Sequence, residues 1–119
     1  MGIFLSYTLR DGVMTPRRLA RLANHAAPFG RAYVDILHND ALDPQSYVME
    51  QLASSDVVLA CRTPGYDDSP WARLELHSAA ANGISVLEVP IDRCMSDDDV
   101  AAAMTLTLQC WHDGRLLAV

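Results

Sequence analysis

The stretch SSDVVLACRTPGYDDSPWARLELHSAAANG, residues 54–83, decides the fold of this chain. Its run at 57–61 is apolar throughout, which is typical of a strand buried on both faces of a parallel sheet. Ser69 and Pro70 then offer an N-cap and a first helical residue, and Gly83 can end the helix. The stretch therefore predicts a buried strand, a polar loop and a helix.

The same alternation of strand and helix continues on both sides of this stretch. The apolar runs that predict the other strands lie at 3–7, 32–37 and 84–89. The residues that offer N-caps for the other helices are Thr15, Asp43 and Ser96. Proline follows the first two caps, and Asp99 makes the third resemble a capping box.

This order of elements predicts an α/β fold: a flavodoxin-like open parallel sheet of four to five strands with helices on both faces. The chain of 119 residues suits one domain spanning residues 1–119. Two predictions remain open for the end of the chain. The tail at 115–119 adds a fifth strand, or Asp113-Gly114 turns a small hairpin.

Composition excludes several classes of function. The chain has nine arginines and no lysine, which excludes a Schiff-base lysine and a Walker-A lysine. Its net charge of −6 argues against general binding to nucleic acid. The charge is uneven, because residues 1–31 carry five arginines and a single acid, Asp11. This N-terminal part is therefore suited to a phosphate or an acidic partner surface.

Three features of the sequence indicate the cellular compartment of the protein. No run of 18 apolar residues exists, so no membrane span is expected. The first residues predict a strand and not a signal peptide. Three widely spaced cysteines indicate reduced thiols, so a cytoplasmic location is expected. The acids at 97–99 complement a helix dipole, and we predict no metal site.

Polar residues that directly follow predicted strands are the candidates for a ligand site. In parallel sheets the ligand crevice lies beyond the carboxyl ends of the strands, near the point where strand order reverses. The residues that this rule selects are Ser6, Thr8, Arg10, Asp11, His38, Asn39, Arg62 and Thr63. The loop at 62–69 and the first turn of each following helix lie at the same end.

Glu75 stands out within the predicted helix after Ser69. At about 100° per residue, Glu75 falls between Trp71 and Ala79, at the border of the buried face. A partly buried carboxylate costs free energy unless it is paired, hydrogen-bonded or protonated. Glu75 is therefore predicted to pair with Arg10 or Arg62, to be exposed by a shift in helix phase, or to serve a site.

Three segments resemble the motifs of TIR (Toll/interleukin-1 receptor) domains. IFLSYTLRD resembles their first strand and loop, and ISVLEVPI resembles a later strand that ends in a Pro-Ile step. SSDVVLACRTPGYDDSPWARLEL resembles their signature of a buried strand, a tyrosine-containing loop and Ser-x-Trp-x-x-x-Glu-Leu. The resemblance spans residues 3–91. Ala72 departs from it, because the family commonly has cysteine after the tryptophan.

The TIR resemblance implies an enzyme that cleaves the nicotinamide–ribose bond of NAD⁺, with Glu75 as the catalytic residue. NAD⁺ is then a substrate, and no cofactor is implied. Nicotinamide in NAD⁺ leaves as a neutral group, so one carboxylate beside the developing oxocarbenium ion suffices. The residues expected to bind the substrate are Ser6, Tyr7, Thr8, Arg10, Asp11, His38, Tyr66 and Trp71. Arg10 is expected to contact the pyrophosphate, and Tyr7 or Tyr66 to stack on a flat ring.

The resemblance also implies partners. A free-standing minimal TIR chain resembles the signal-producing proteins of bacterial anti-phage systems such as Thoeris. The product is then ADP-ribose or a cyclic or derivatised form that a downstream effector senses. Homo-oligomers or other TIR domains are the expected protein partners. Two alternatives stay open: a non-enzymatic TIR interaction module, and an enzyme like the nucleoside deoxyribosyltransferases, which share the open parallel sheet and a ribosyl-handling glutamate.

Overall fold

The architecture is a parallel sheet with helices on both faces, as the sequence predicts. The computed structural model describes residues 1–114, so the predicted strand or hairpin at 115–119 lies outside the described residues. Four strands form one sheet in the order β2-β1-β3-β4. Their bounds are β1 Gly2–Ser6, β2 Arg31–Tyr33, β3 Val57–Arg62 and β4 Ser85–Pro90. All three strand pairs are parallel. The prediction of an open flavodoxin-like sheet is confirmed.

Within residues 1–114, four α-helices lie between the strands and a fifth follows β4. Their bounds are α1 Pro16–Ala26, α2 Asp35–His38, α3 Pro44–Ala53, α4 Pro70–Ala81 and α5 Asp97–His112. The predicted caps are confirmed: Thr15, Asp43 and Ser69 each accept a hydrogen bond from the backbone N–H three residues on. Ser96 and Asp99 form the predicted capping box at the start of α5.

The second strand is shorter than its apolar run predicts. A strand over 32–37 is wrong, because β2 ends at Tyr33 and residues 35–38 form the short helix α2. Local hydrogen bonds explain the difference: the Tyr33 hydroxyl donates to Asp35 Oδ1 at 2.8 Å, and His38 Nδ1 accepts from Val34 N–H at 2.9 Å. Such side-chain contacts compete with the strand ladder for the backbone.

Alternate strand residues bury against opposite helix layers. Ile3, Leu5 and Leu59 join the core under α1 and α5, whereas Phe4 and Val58 join the core under α3 and α4. All five are at most 1% exposed. Both faces of the two central strands are thus covered, which explains their continuous apolar sequences.

The carboxyl ends of β1 and β3 define the candidate site. Strand order reverses between these two neighbours, since β2 follows β1 in sequence but lies on its far side. A crevice is expected at such a reversal. Within residues 1–114, no helix combines the length and the apolar character that crossing a membrane requires.

Candidate functional site

Glu75 is a buried carboxyl at the carboxyl edge of the sheet. It lies in the second turn of α4, and the residue is 3% exposed. Ala72 and Ala79 on the same face are fully buried. Glu75 therefore lies inside the buried face and not at its border. The possibility that a shift in helix phase exposes it is wrong.

A chain of hydrogen bonds holds the Glu75 carboxyl in place. Ser6 Oγ donates to Glu75 Oε1 at 2.8 Å, and the Tyr66 hydroxyl lies 2.7 Å from Ser6 Oγ. Because the single hydroxyl proton of Ser6 points to Glu75, Tyr66 donates to Ser6. Ser6 is the last residue of β1, and Tyr66 begins a 3₁₀ turn after β3. The site is thus assembled from the ends of the two central strands.

Neither predicted arginine partner reaches Glu75. Arg62 pairs with Asp67 at 2.7 Å and with Glu88 at 2.9 Å. Arg10 donates from Nη1 to the Asp68 carbonyl at 3.1 Å. Among the ion pairs of residues 1–114, none involves Glu75. The predicted pairing is therefore wrong, and the carboxyl is buried without a neutralising cation.

Burial without a cation changes the acidity of Glu75. Desolvation raises its pKa from 4.5 to about 8. The hydrogen bond from Ser6 opposes this rise, the nearby Asp35 carboxylate adds to it, and a Trp71 side-chain hydrogen bond opposes it. Such a carboxyl titrates near neutral pH, and positive charge developing beside it favours its ionised form.

Tyr7, Trp71 and Asp35 surround this carboxyl. The Tyr7 hydroxyl accepts a hydrogen bond from Ile36 N–H at 2.9 Å, and burial raises the pKa of Tyr7 to about 12. Trp71 and Asp35 line a cavity of about 220 Å³ together with residues of α3. Trp71 thus contacts both Glu75 and this cavity. The structure brings three of the residues predicted for the site, Ser6, Tyr7 and Trp71, together around Glu75.

Asp11 joins the loop that follows β1 to the loop that follows β3 at this edge of the sheet. Its Oδ2 accepts from Gly65 N–H at 2.7 Å, and its Oδ1 accepts from Val13 N–H at 3.1 Å. Arg93 donates to the Asp11 carbonyl at 2.8 Å. Thr8 Oγ1 accepts from Arg10 N–H at 3.2 Å in the same loop. In this conformation Asp11 and Thr8 therefore shape the loop and do not present free polar groups to a ligand.

Tyr66 and His38 are placed differently from the expected ligand contacts. The Tyr66 residue is 1% exposed, so its ring is not open for stacking in this conformation. Its hydroxyl donates a hydrogen bond to Ser6 Oγ instead. His38 lines a separate cavity at the outer edge of β2, away from Glu75.

Asp35 is the site residue that the sequence did not single out. It lies inside the run predicted as a strand, and strands with buried faces rarely carry an acid there. An acidic residue inside a predicted buried strand is the sequence signal that could have identified Asp35. In the structure Asp35 directly follows the end of β2 and Val34, and its Oδ1 accepts from Asn39 Nδ2 at 2.8 Å. Across residues 1–114, His, Cys, Asp and Glu side chains form no group of three that would hold a metal ion.

The raised pKa of Glu75 gives a prediction for stability. Between pH 4.5 and about 8 the folded protein keeps a proton that the unfolded chain releases. The free energy of unfolding therefore falls as pH rises through this window. Glu75→Gln removes this fall in the free energy of unfolding because glutamine stays neutral at every pH. The free energy of unfolding of the variant minus that of the native protein is expected to rise with pH, by at most about 1.4 kcal/mol per pH unit.

Urea unfolding of both proteins at several values from about pH 5 to about pH 8 measures this difference. Titrations common to both proteins cancel in the subtraction. A difference that stays constant with pH would show that Glu75 has an ordinary pKa in the folded state.

Comparisons with known proteins bear on the fold. No protein-family model matches this sequence, and no curated protein matches it. Among solved structures, a 2-deoxyribosyltransferase from the psychrotolerant bacterium Bacillus psychrosaccharolyticus is similar, with a TM-score of 0.52 and 13% sequence identity. The match covers 74% of this chain and 71% of that chain. At this identity the likeness shows a shared α/β fold.

Proposed function

We propose that this protein cleaves the N-glycosidic bond between a ribose-type sugar and a nitrogen base, with Glu75 as the catalytic carboxylate. The observation that carries this proposal is the Glu75 carboxyl, buried without an arginine and held by Ser6 at the reversal point of the sheet. The structural likeness to a 2-deoxyribosyltransferase supports the same class of chemistry.

The chemistry needs a negative charge beside the anomeric carbon. As the bond from that carbon to the base nitrogen breaks, its electrons leave with the base and the sugar becomes oxocarbenium-like. The Glu75 carboxylate stabilises this cation or bonds to it, and water or a second base then takes the sugar. Ser6 holds the carboxylate through Oε1 and the Trp71 side chain also bonds to it, so the sugar takes the acceptor positions that these two groups leave or that Trp71 vacates.

The sugar reaches Glu75 only after a small rearrangement. Glu75 is 3% exposed. The Trp71 side chain contacts the Glu75 carboxyl and also lines the cavity beside α3, so it separates the carboxyl from that cavity. The cavity of about 220 Å³ beside Trp71 is smaller than sites that hold a whole nucleotide. Binding therefore displaces the Trp71 ring or the segment at 35–45, which forms the other wall of that cavity.

Two substrate classes fit this proposal. The structural neighbour favours 2-deoxyribosyl transfer between bases. The resemblance of residues 3–91 to TIR domains favours NAD⁺ cleavage. The two differ in their need for acid, since nicotinamide leaves NAD⁺ as a neutral group whereas an ordinary base requires protonation to leave.

An assay on both substrates tests the proposal. The pure protein is incubated with NAD⁺, and separately with a 2′-deoxynucleoside and a second base, and the products are identified by mass spectrometry. We expect release of a free base in one of the two reactions. No release from either substrate by the folded protein, even at high concentration, would contradict the proposed function and favour a binding module.

A further inference from the structure

The largest cavity described in this molecule lies away from Glu75, along the outer edge of β2. It measures about 640 Å³ and runs between β2 and α3. Arg31 of β2 and His38 of α2 line this outer cavity together with Tyr47 and Gln51 of α3. Its volume is in the range of sites that bind small molecules and cofactors.

Hydrogen-bond donors without protein partners line the outer cavity. The Arg31 guanidinium, the Gln51 carboxamide and the Tyr47 hydroxyl make no hydrogen bond or ion pair within residues 1–114. His38 adds a fourth donor: its Nδ1 accepts from Val34 N–H, so the proton of the neutral ring lies on Nε2. Polar groups that gather in one cleft without protein partners are the usual means of orienting a ligand.

The charge of the outer cavity is opposite to that of the whole chain. The protein carries a net charge of −6, yet no described residue that lines this cavity bears a carboxylate. The neighbouring Asp56 is engaged, because its Oδ2 accepts from Gly2 N–H at 2.7 Å. The C-terminal end of α3 opposes an anion, but its effect is weaker than that of a guanidinium in direct contact. The cavity therefore favours an anionic group at Arg31.

Aromatic rings form part of the wall of the outer cavity. Tyr33 is packed between Phe4, His38 and Tyr47, with ring centroids 5.4, 5.9 and 6.1 Å away. This packing fixes the Tyr47 and His38 rings, which are half-buried and exposed, respectively. A fixed, partly exposed ring in the same cavity as a cation suits a ligand that joins a flat ring to an oxyanion.

We infer that the outer cavity is a second binding site, which takes a nucleoside monophosphate with its phosphate on Arg31 and its base against Tyr47 and His38. This inference does not depend on the proposed activity of Glu75. It assigns His38 a role that the Glu75 site does not provide.

Binding of AMP tests the inference without any turnover. Calorimetric titration is expected to give a Kd of about 1 mM or tighter. Arg31→Ala is expected to weaken binding about 10-fold or more, because a charge-assisted contact is lost. Arg73→Ala is the matched control: Arg73 is exposed on α4 outside the cavity, and its loss changes the net charge equally.

Further binding measurements distinguish this site from the Glu75 site. Glu75→Gln is expected to leave the AMP affinity unchanged, and NMR shifts on binding are expected at residues 31–38 and 47–51. Adenosine and inorganic phosphate are each expected to bind more weakly than AMP. Absence of AMP binding, equal weakening by Arg73→Ala, loss of binding in Glu75→Gln, or phosphate binding as tight as that of AMP would each overturn the inference.

Discussion

Replacing Glu75 with glutamine is expected to lower the kcat of N-glycosidic cleavage by about 10³-fold or more. Glutamine keeps the size of the side chain and can still accept the hydrogen bond from Ser6. It lacks the negative charge that the developing oxocarbenium ion requires. The fold is expected to be retained, because a neutral amide replaces a carboxyl whose ionised form burial already disfavours.

The pH dependence of the native protein's activity checks the same residue. If the carboxylate is the active form, kcat/KM rises with pH and levels off above the Glu75 pKa of about 8. Glu50→Gln serves as a control, since Glu50 is exposed on α3 and its loss removes the same charge. Full activity in Glu75→Gln, with a native circular dichroism spectrum, would remove Glu75 from the mechanism.

Replacing Phe4 with alanine is expected to lower the free energy of unfolding by about 3–5 kcal/mol. Phe4 is 0% exposed in the central strand β1, and its ring stacks on Tyr33 with centroids 5.4 Å apart. The loss combines the transfer free energy of the ring with the cavity that it leaves. A domain of this size is stable by only about 5–15 kcal/mol, so the effect is a large part of the total.

Urea or thermal unfolding measures this loss against Leu74→Ala. Leu74 is 47% exposed on α4, and its truncation is expected to change stability by no more than about 0.5 kcal/mol. Similar losses in both variants would show that Phe4 is not part of a close-packed core.

Most of the fold is predictable because local signals agree with the tertiary structure. The apolar run at 57–61 becomes β3, and the caps Thr15, Asp43, Ser69 and Ser96 each begin a helix. These signals act within a few residues, so the sequence alone carries them. The failure at β2 has the opposite cause. Tyr33 and His38 form hydrogen bonds that end the strand, and apolar periodicity does not register such contacts.

The candidate site is predictable in its centre and less so in its surroundings. The helical phase and the carboxyl-edge rule together place Glu75 and Ser6 close to each other. The hydroxyl chain from Tyr66 depends on a contact across 60 residues, which no local pattern encodes. The hydrogen bond from Gly65 N–H to Asp11 Oδ2 joins residues 54 apart in the sequence, so no local pattern predicts it either.

That bridge between Asp11 and Gly65 makes access to Glu75 one-sided. It ties together the segments that follow β1 and β3, while Arg93 clamps the same segment from beyond β4. Three of the four strand ends are thereby joined into a fixed wall. Beyond β2, the exposed residues at 36–38 and 42–46 have no tie to Asp11, and a single hydrogen bond from Ile36 N–H to the Tyr7 hydroxyl links them to the segment after β1. On the proposed function, we expect a substrate to enter past α2 and to deform that flank, while the opposite wall keeps its shape.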